Sequence, residues 1–108
     1  MAPSQYRSSN LIIQSILEGI VRADINNILV KKGIVKSHLI KYVGLKASVA
    51  EKYLSKMEKA GYIQSREEPW GDRSINIYTI TPLGMERYQW FMKINAEFEE
   101  GGIHEQEK

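Results

Sequence analysis

Apolar residues recur three or four positions apart along most of this chain, and the rhythm changes to alternation over one stretch. In LIIQSILEGIVRADINNILVKKG, Leu11, Ile12, Ile16, Leu17, Ile20, Ile25, Ile28 and Leu29 follow helical spacing. Ser8, Ser9 and Asn10 offer an N-cap before this run and Gly33 a stop after it. The pattern predicts one long first helix. Gly19 inside it costs roughly 1 kcal/mol relative to alanine, so a break between two helices near Val21 to Asp24 is the alternative.

Ile34 and Val35, β-branched and following Gly33, are enough for a very short strand. In KSHLIKYVGL, Leu39, Ile40 and Val43 form one apolar face over two turns, and Gly44 ends a short second helix. A third helix begins about three residues later, with recognition-type length over about residues 46–60. It places Leu45, Ala50, Leu54 and Met57 on one stripe, Tyr53 beside it and Gly61 at its exit. Two helices joined by a short glycine-containing turn form a helix-turn-helix, whose second helix enters the major groove of DNA.

Alternation appears in YIQSREEPWGDRSINIYTI. Tyr62 to Glu67 and Ser74 to Ile80 have period two, and Pro69-Trp70-Gly71-Asp72 between them is suited to reversing the chain. A hairpin directly after a helix-turn-helix is a wing. Thr81 can cap a final helix, Pro82 suits its first position, and the run TPLGMERYQWFMKINAEFEE extends it to Glu100, roughly 28 Å at 1.5 Å per residue. Leu83, Arg87, Trp90, Phe91, Ile94 and Phe98 lie along one side of that helix. So apolar a terminal helix points to a homodimer seam; the alternative is that it folds back over its own core.

The expected architecture is mainly α with a small β-hairpin wing, a winged helix-turn-helix plus a long C-terminal dimerisation helix. Its parts are a flexible tail (1–8), the winged domain (9–80), the dimerisation helix (81–100) and a disordered acidic tail (101–108). At 108 residues, the length suits one domain.

Charge adds a partner to this picture. The formal net charge is only +2, yet residues 1–66 hold 11 Lys/Arg against 4 Asp/Glu, while residues 67–108 hold 4 against 9. A basic body with an acidic end suits a polyanion on one face. With the apolar stripe of the third helix buried, Ala47, Ser48, Val49, Glu51, Lys52, Ser55, Lys56 and Lys59 remain outside, small, hydroxylated or cationic for the most part. The candidate DNA-contacting set is Lys36, Ser37, His38, Lys46, Ala47, Ser48, Lys52, Ser55 and Lys56, with Arg66, Trp70 and Arg73 on the wing. The competing reading is an ordinary solvated lysine face, with Trp70 packed on the hairpin stem.

The run GLKASVAEKYLSKMEKAGYI, followed by the hairpin and by IYTITPLGMERY, resembles small archaeal winged-helix regulators, including ten-kilodalton chromatin-type DNA-binding proteins. More distantly it resembles MarR-like and PadR-like regulators. The resemblance covers roughly residues 9 to 98 and implies double-stranded DNA binding by a dimer whose C-terminal helix pairs with its partner, often as an antiparallel coiled coil. Two departures stand out: Glu51 on the outward face of the recognition helix, and a first helix longer than the family usually has.

Chemistry beyond binding has little support. Cysteine is absent, the two histidines lie far apart, and no phosphate-binding glycine loop, nucleophile elbow or HExxH run occurs. Neither catalysis nor a cofactor or metal is expected, and no titratable cluster marks an effector pocket. The start MAPSQYRSSN lacks the apolar core of a signal peptide and no run is long enough to span a membrane, so the expected compartment is the cytoplasm. A transcriptional regulator, a sequence-tolerant chromatin protein and a winged-helix protein-protein adaptor all fit this reading.

Overall fold

The computed structural model of the chain describes residues 8–26 and 33–106. Four helices and three strands follow in the order α1 (Ser9–Asn26), β1 (Ile34–Val35), α2 (Lys36–Val43), α3 (Ala47–Lys59), β2 (Ile63–Trp70), β3 (Arg73–Ile80) and α4 (Pro82–Gln106). The strands form one antiparallel sheet in the order β1-β3-β2. This is the winged helix-turn-helix with a C-terminal helix that the hydrophobic pattern predicts.

Local chemistry sets the element ends. Ser8 caps α1, its hydroxyl accepting from the Leu11 backbone N–H at 3.2 Å. At the exit of α3, Gly61 takes φ 86°, and the Tyr62 N–H reaches the Met57 carbonyl while the Gly61 N–H reaches that of Glu58, both at 3.0 Å. That paired closure needs a left-handed residue, which glycine supplies without steric cost. Thr81 caps α4 by accepting from the Gly84 N–H at 3.0 Å, and its hydroxyl hydrogen is directed at the Gly61 and Tyr62 carbonyls, 2.5 and 3.0 Å away. One threonine thus joins the end of α3 to the start of α4.

The core is built on α1. Ile12, Ile16, Leu17 and Ile20 are buried against Leu39 and Val43 of α2, Leu54 and Met57 of α3, and Ile63 and Tyr78 of the sheet. Helix α1 continues without a break through Gly19 and Val21 to Asp24. The missing side chain at Gly19 is what lets α2 pack close: a Cβ there would stand 2.9 Å from both Leu39 Cδ1 and Tyr42 Cδ2. The described part of α1 spans Ser9–Asn26, and Ile28 and Leu29 of the predicted longer helix lie outside the described residues. Across that interval the Asp24 carboxylate accepts from the Gly33 N–H at 2.6 Å.

Two boundaries differ from the sequence reading. Pro69 and Trp70 belong to β2, not to the turn: Trp70 pairs with Arg73 and only Gly71 and Asp72 connect the strands. Because β2 is an edge strand, a proline lacking its N–H is tolerated there, and Gly71 at φ 67° meets the left-handed requirement of a two-residue hairpin loop. Helix α4 runs to Gln106, beyond the expected end at Glu100 and into the segment expected to be disordered. Gly101 and Gly102 weaken a helix by about 1 kcal/mol each without forbidding it. Residues 1–7 of the predicted N-terminal tail, and 107–108, lie outside the described residues.

Candidate nucleic-acid interface

Burial on α3 is one-sided. Ala50, Leu54 and Met57 are buried, and the opposite face carries Ser48, Lys52, Ser55 and Lys59, all exposed and spaced four, three and four residues apart. Lys56 and Val49 flank this row on one side, and Lys46 and Ala47 sit exposed at the helix start. Among the described residues none of Lys46, Lys52, Lys56 or Lys59 forms an ion pair.

The two acids of α3 are both turned aside. Glu51 and Glu58, seven residues apart, share the other flank. The Glu51 carboxylate lies 3.2 Å from the Lys36 ammonium at the start of α2, and Glu58 accepts from the Ser65 hydroxyl on β2 at 2.9 Å. Glu51, the departure that argued against a phosphate-facing helix, is therefore ion-paired with a residue that sequence reasoning assigned to DNA. No local signal links positions 36 and 51; the pair exists because the helix-turn-helix brings the two helix starts together. Beneath it Tyr78 is buried, and burial pushes its phenol above the ordinary range despite the pull of Lys36. Ser37 and His38 are exposed in the first turn of α2, where the cap position is Val35 and no side chain caps the helix.

The wing is less cationic than its arginines suggest. Arg66 lies 2.6 Å from Glu68 on its own strand, two residues along and on the same face. Arg73 is exposed and has no ion-pair partner among the described residues. Trp70 is 65% exposed, so it does not pack back on the stem. With Glu67, Glu68 and Asp72 against two arginines, the wing carries a net negative charge.

Along α4 the predicted seam residues divide. Phe91 packs against the core and Leu83 is half-buried near Gly61, whereas Trp90, Ile94 and Phe98 are 53%, 58% and 76% exposed. The Arg87 guanidinium sits 4.1 Å above the Trp90 ring and 3.4 Å from Glu86. Between α1 and α4 a groove of about 230 Å³ is lined by Ile13, Tyr62, Arg87, Trp90 and Phe91 among others. Among the described residues no three His, Asp or Glu side chains group to hold a metal, and no helix is long and apolar enough to cross a membrane.

No protein-family model and no curated protein matches the sequence. Solved structures do match. A protein from Streptococcus mutans UA159 superposes with a TM-score of 0.69 at 23% identity, covering 91% of this chain and 90% of that one. A candidate transcriptional regulator of the MarR family from Enterococcus faecalis V583 gives 0.64 at 17% identity, covering 99% and 100%. The PcaV transcriptional regulator from Streptomyces coelicolor, solved with its natural ligand, gives 0.58 at 17% identity, and there the match covers 71% of this chain and 48% of that one. At these identities the likeness is one of fold: the chain is a winged helix-turn-helix domain with a long C-terminal helix.

Proposed function

We propose that the protein binds double-stranded DNA as a homodimeric transcriptional regulator, with α3 in the major groove, the tip of the wing on flanking DNA and α4 as the dimer seam. The observation that carries this reading is the outward row of α3: its lysines have no ion-pair partner among the described residues, while both its carboxylates are engaged by Lys36 and Ser65. Such a face meets a duplex with its cations available for phosphates and with short side chains, Ala47, Ser48 and Ser55, letting the backbone approach. Ser37 and His38 at the start of α2, together with Lys46, extend the contact along the phosphates. Lys36 contributes less, because Glu51 already occupies it. The adaptor alternative drew on Glu51 and on the small net charge, and the Lys36–Glu51 ion pair speaks to the first of these.

The exposed stripe Trp90, Ile94 and Phe98 supports dimerisation, since three large apolar side chains at spacings of four would otherwise remain in water. In this reading the dimer presents two copies of α3 to successive turns of the duplex, about 34 Å apart. Selection from a randomised duplex pool tests the reading. Enrichment of a two-fold symmetric site identifies a regulator, and recovery of duplexes without enrichment identifies a sequence-tolerant chromatin protein. Recovery of no duplex contradicts DNA binding altogether.

A further inference from the structure

The wing cannot be held on DNA by charge alone, and what its tip offers is an aromatic. Trp70 and Arg73 are directly paired across β2 and β3, so their side chains leave the same face of the hairpin at its end. Both are exposed, with Pro69 beside Trp70 and only Gly71 and Asp72 beyond them. Eight consecutive residue pairs, from Ile63–Ile80 to Trp70–Arg73, fix the hairpin along its length. An indole held at the end of a fully paired hairpin keeps its apolar surface in water at a cost, and the described residues leave 65% of it exposed.

We infer that Trp70 is a wedge residue: it enters the minor groove next to the α3 contact and partly unstacks a flexible base step, with Arg73 on the adjoining groove wall. The inference rests on the DNA-binding reading above. Apolar side chains that insert between base pairs act where unstacking is cheapest, at pyrimidine–purine steps such as TA. Arg73 supplies a cation for the negative potential of the groove. Exposed Glu67 disfavours laying the strands along the phosphates, so the tip makes the contact. The wing thereby selects deformable flanking sequence without reading base edges.

The test uses two 30-base-pair duplexes of equal composition, one carrying TA steps throughout and one built from uninterrupted A-tracts, titrated with the purified full chain by fluorescence anisotropy. Wild-type protein should prefer the TA duplex by about tenfold, Trp70→Phe should keep most of that preference, and Trp70→Ala should abolish it. Circular dichroism of Trp70→Ala should match wild type, because the side chain is exposed at a hairpin end. Equal affinity of the wild-type protein for both duplexes, or an undiminished preference in Trp70→Ala, overturns the wedge while leaving the DNA-binding reading standing. Absence of binding to either duplex overturns both.

Discussion

The Lys36 ammonium and the Glu51 carboxylate lie 3.2 Å apart, joining the first turn of α2 to the outward flank of α3. The contact sets the charge of the surface that we assign to DNA: it uses one cation to silence the acid nearest the lysine row. Glu51→Gln should therefore release Lys36 toward phosphate. We expect DNA affinity to rise about threefold at low salt and the slope of log affinity against log salt to steepen by about 0.9. Stability should change by less than about 1 kcal/mol, since the Glu51 side chain is more than half exposed. Parallel salt titrations and thermal melts check both.

The junction between α3 and α4 depends on Thr81. Replacing it with alanine removes the cap on Gly84 and the hydroxyl donor to the Gly61 and Tyr62 carbonyls. A loss of about 1–2 kcal/mol in urea unfolding is expected. Thr81→Ser, which keeps the hydroxyl, should recover most of it.

Gly84 is a question of space. A Cβ there would overlap the Tyr62 carbonyl oxygen and stand 2.8 Å from Ile80 Cγ1. Backbone cannot yield as a flexible side chain does, so Gly84→Ala should cost more than about 3 kcal/mol, although alanine is the better helix former. A melting temperature equal to wild type would show that α4 can shift away from the β2 entry.

The seam on α4 is best tested where it is exposed. Phe91 is partly buried against the domain's own core, so a charge there would disturb the fold as well as any assembly. Ile94→Glu combined with Phe98→Glu leaves that core untouched and should yield folded monomers by analytical sedimentation, with dimer affinity reduced about a hundredfold or more. A persistent dimer would place the interface elsewhere.

Much of this fold was legible because its signals are local. Ser8, Gly44, Gly61 and Thr81 mark element ends through contacts within a few residues, and the apolar periods of α2 and α3 need nothing from the rest of the chain. What escaped was non-local. Gly19 reads as a helix breaker until α2 is seen against it, and Glu51 reads as a misplaced acid until Lys36 arrives from fifteen residues upstream. Pro69 and Trp70 look like turn residues because an edge strand and an interior strand have the same sequence period. The division of the α4 stripe, with Phe91 inward and Trp90 outward, depends on where α1 and the sheet meet that helix.

The most direct test of the account is the salt dependence of binding to a duplex by wild-type protein and by Lys52→Ala with Lys56→Ala. The account predicts a linear fall of log affinity with log salt, at about 0.9 per phosphate contacted, and a slope shallower by roughly 1.8 in the double variant with its fold intact. Identical slopes and affinities for the two proteins would remove α3 from the groove and contradict the interface proposed for it.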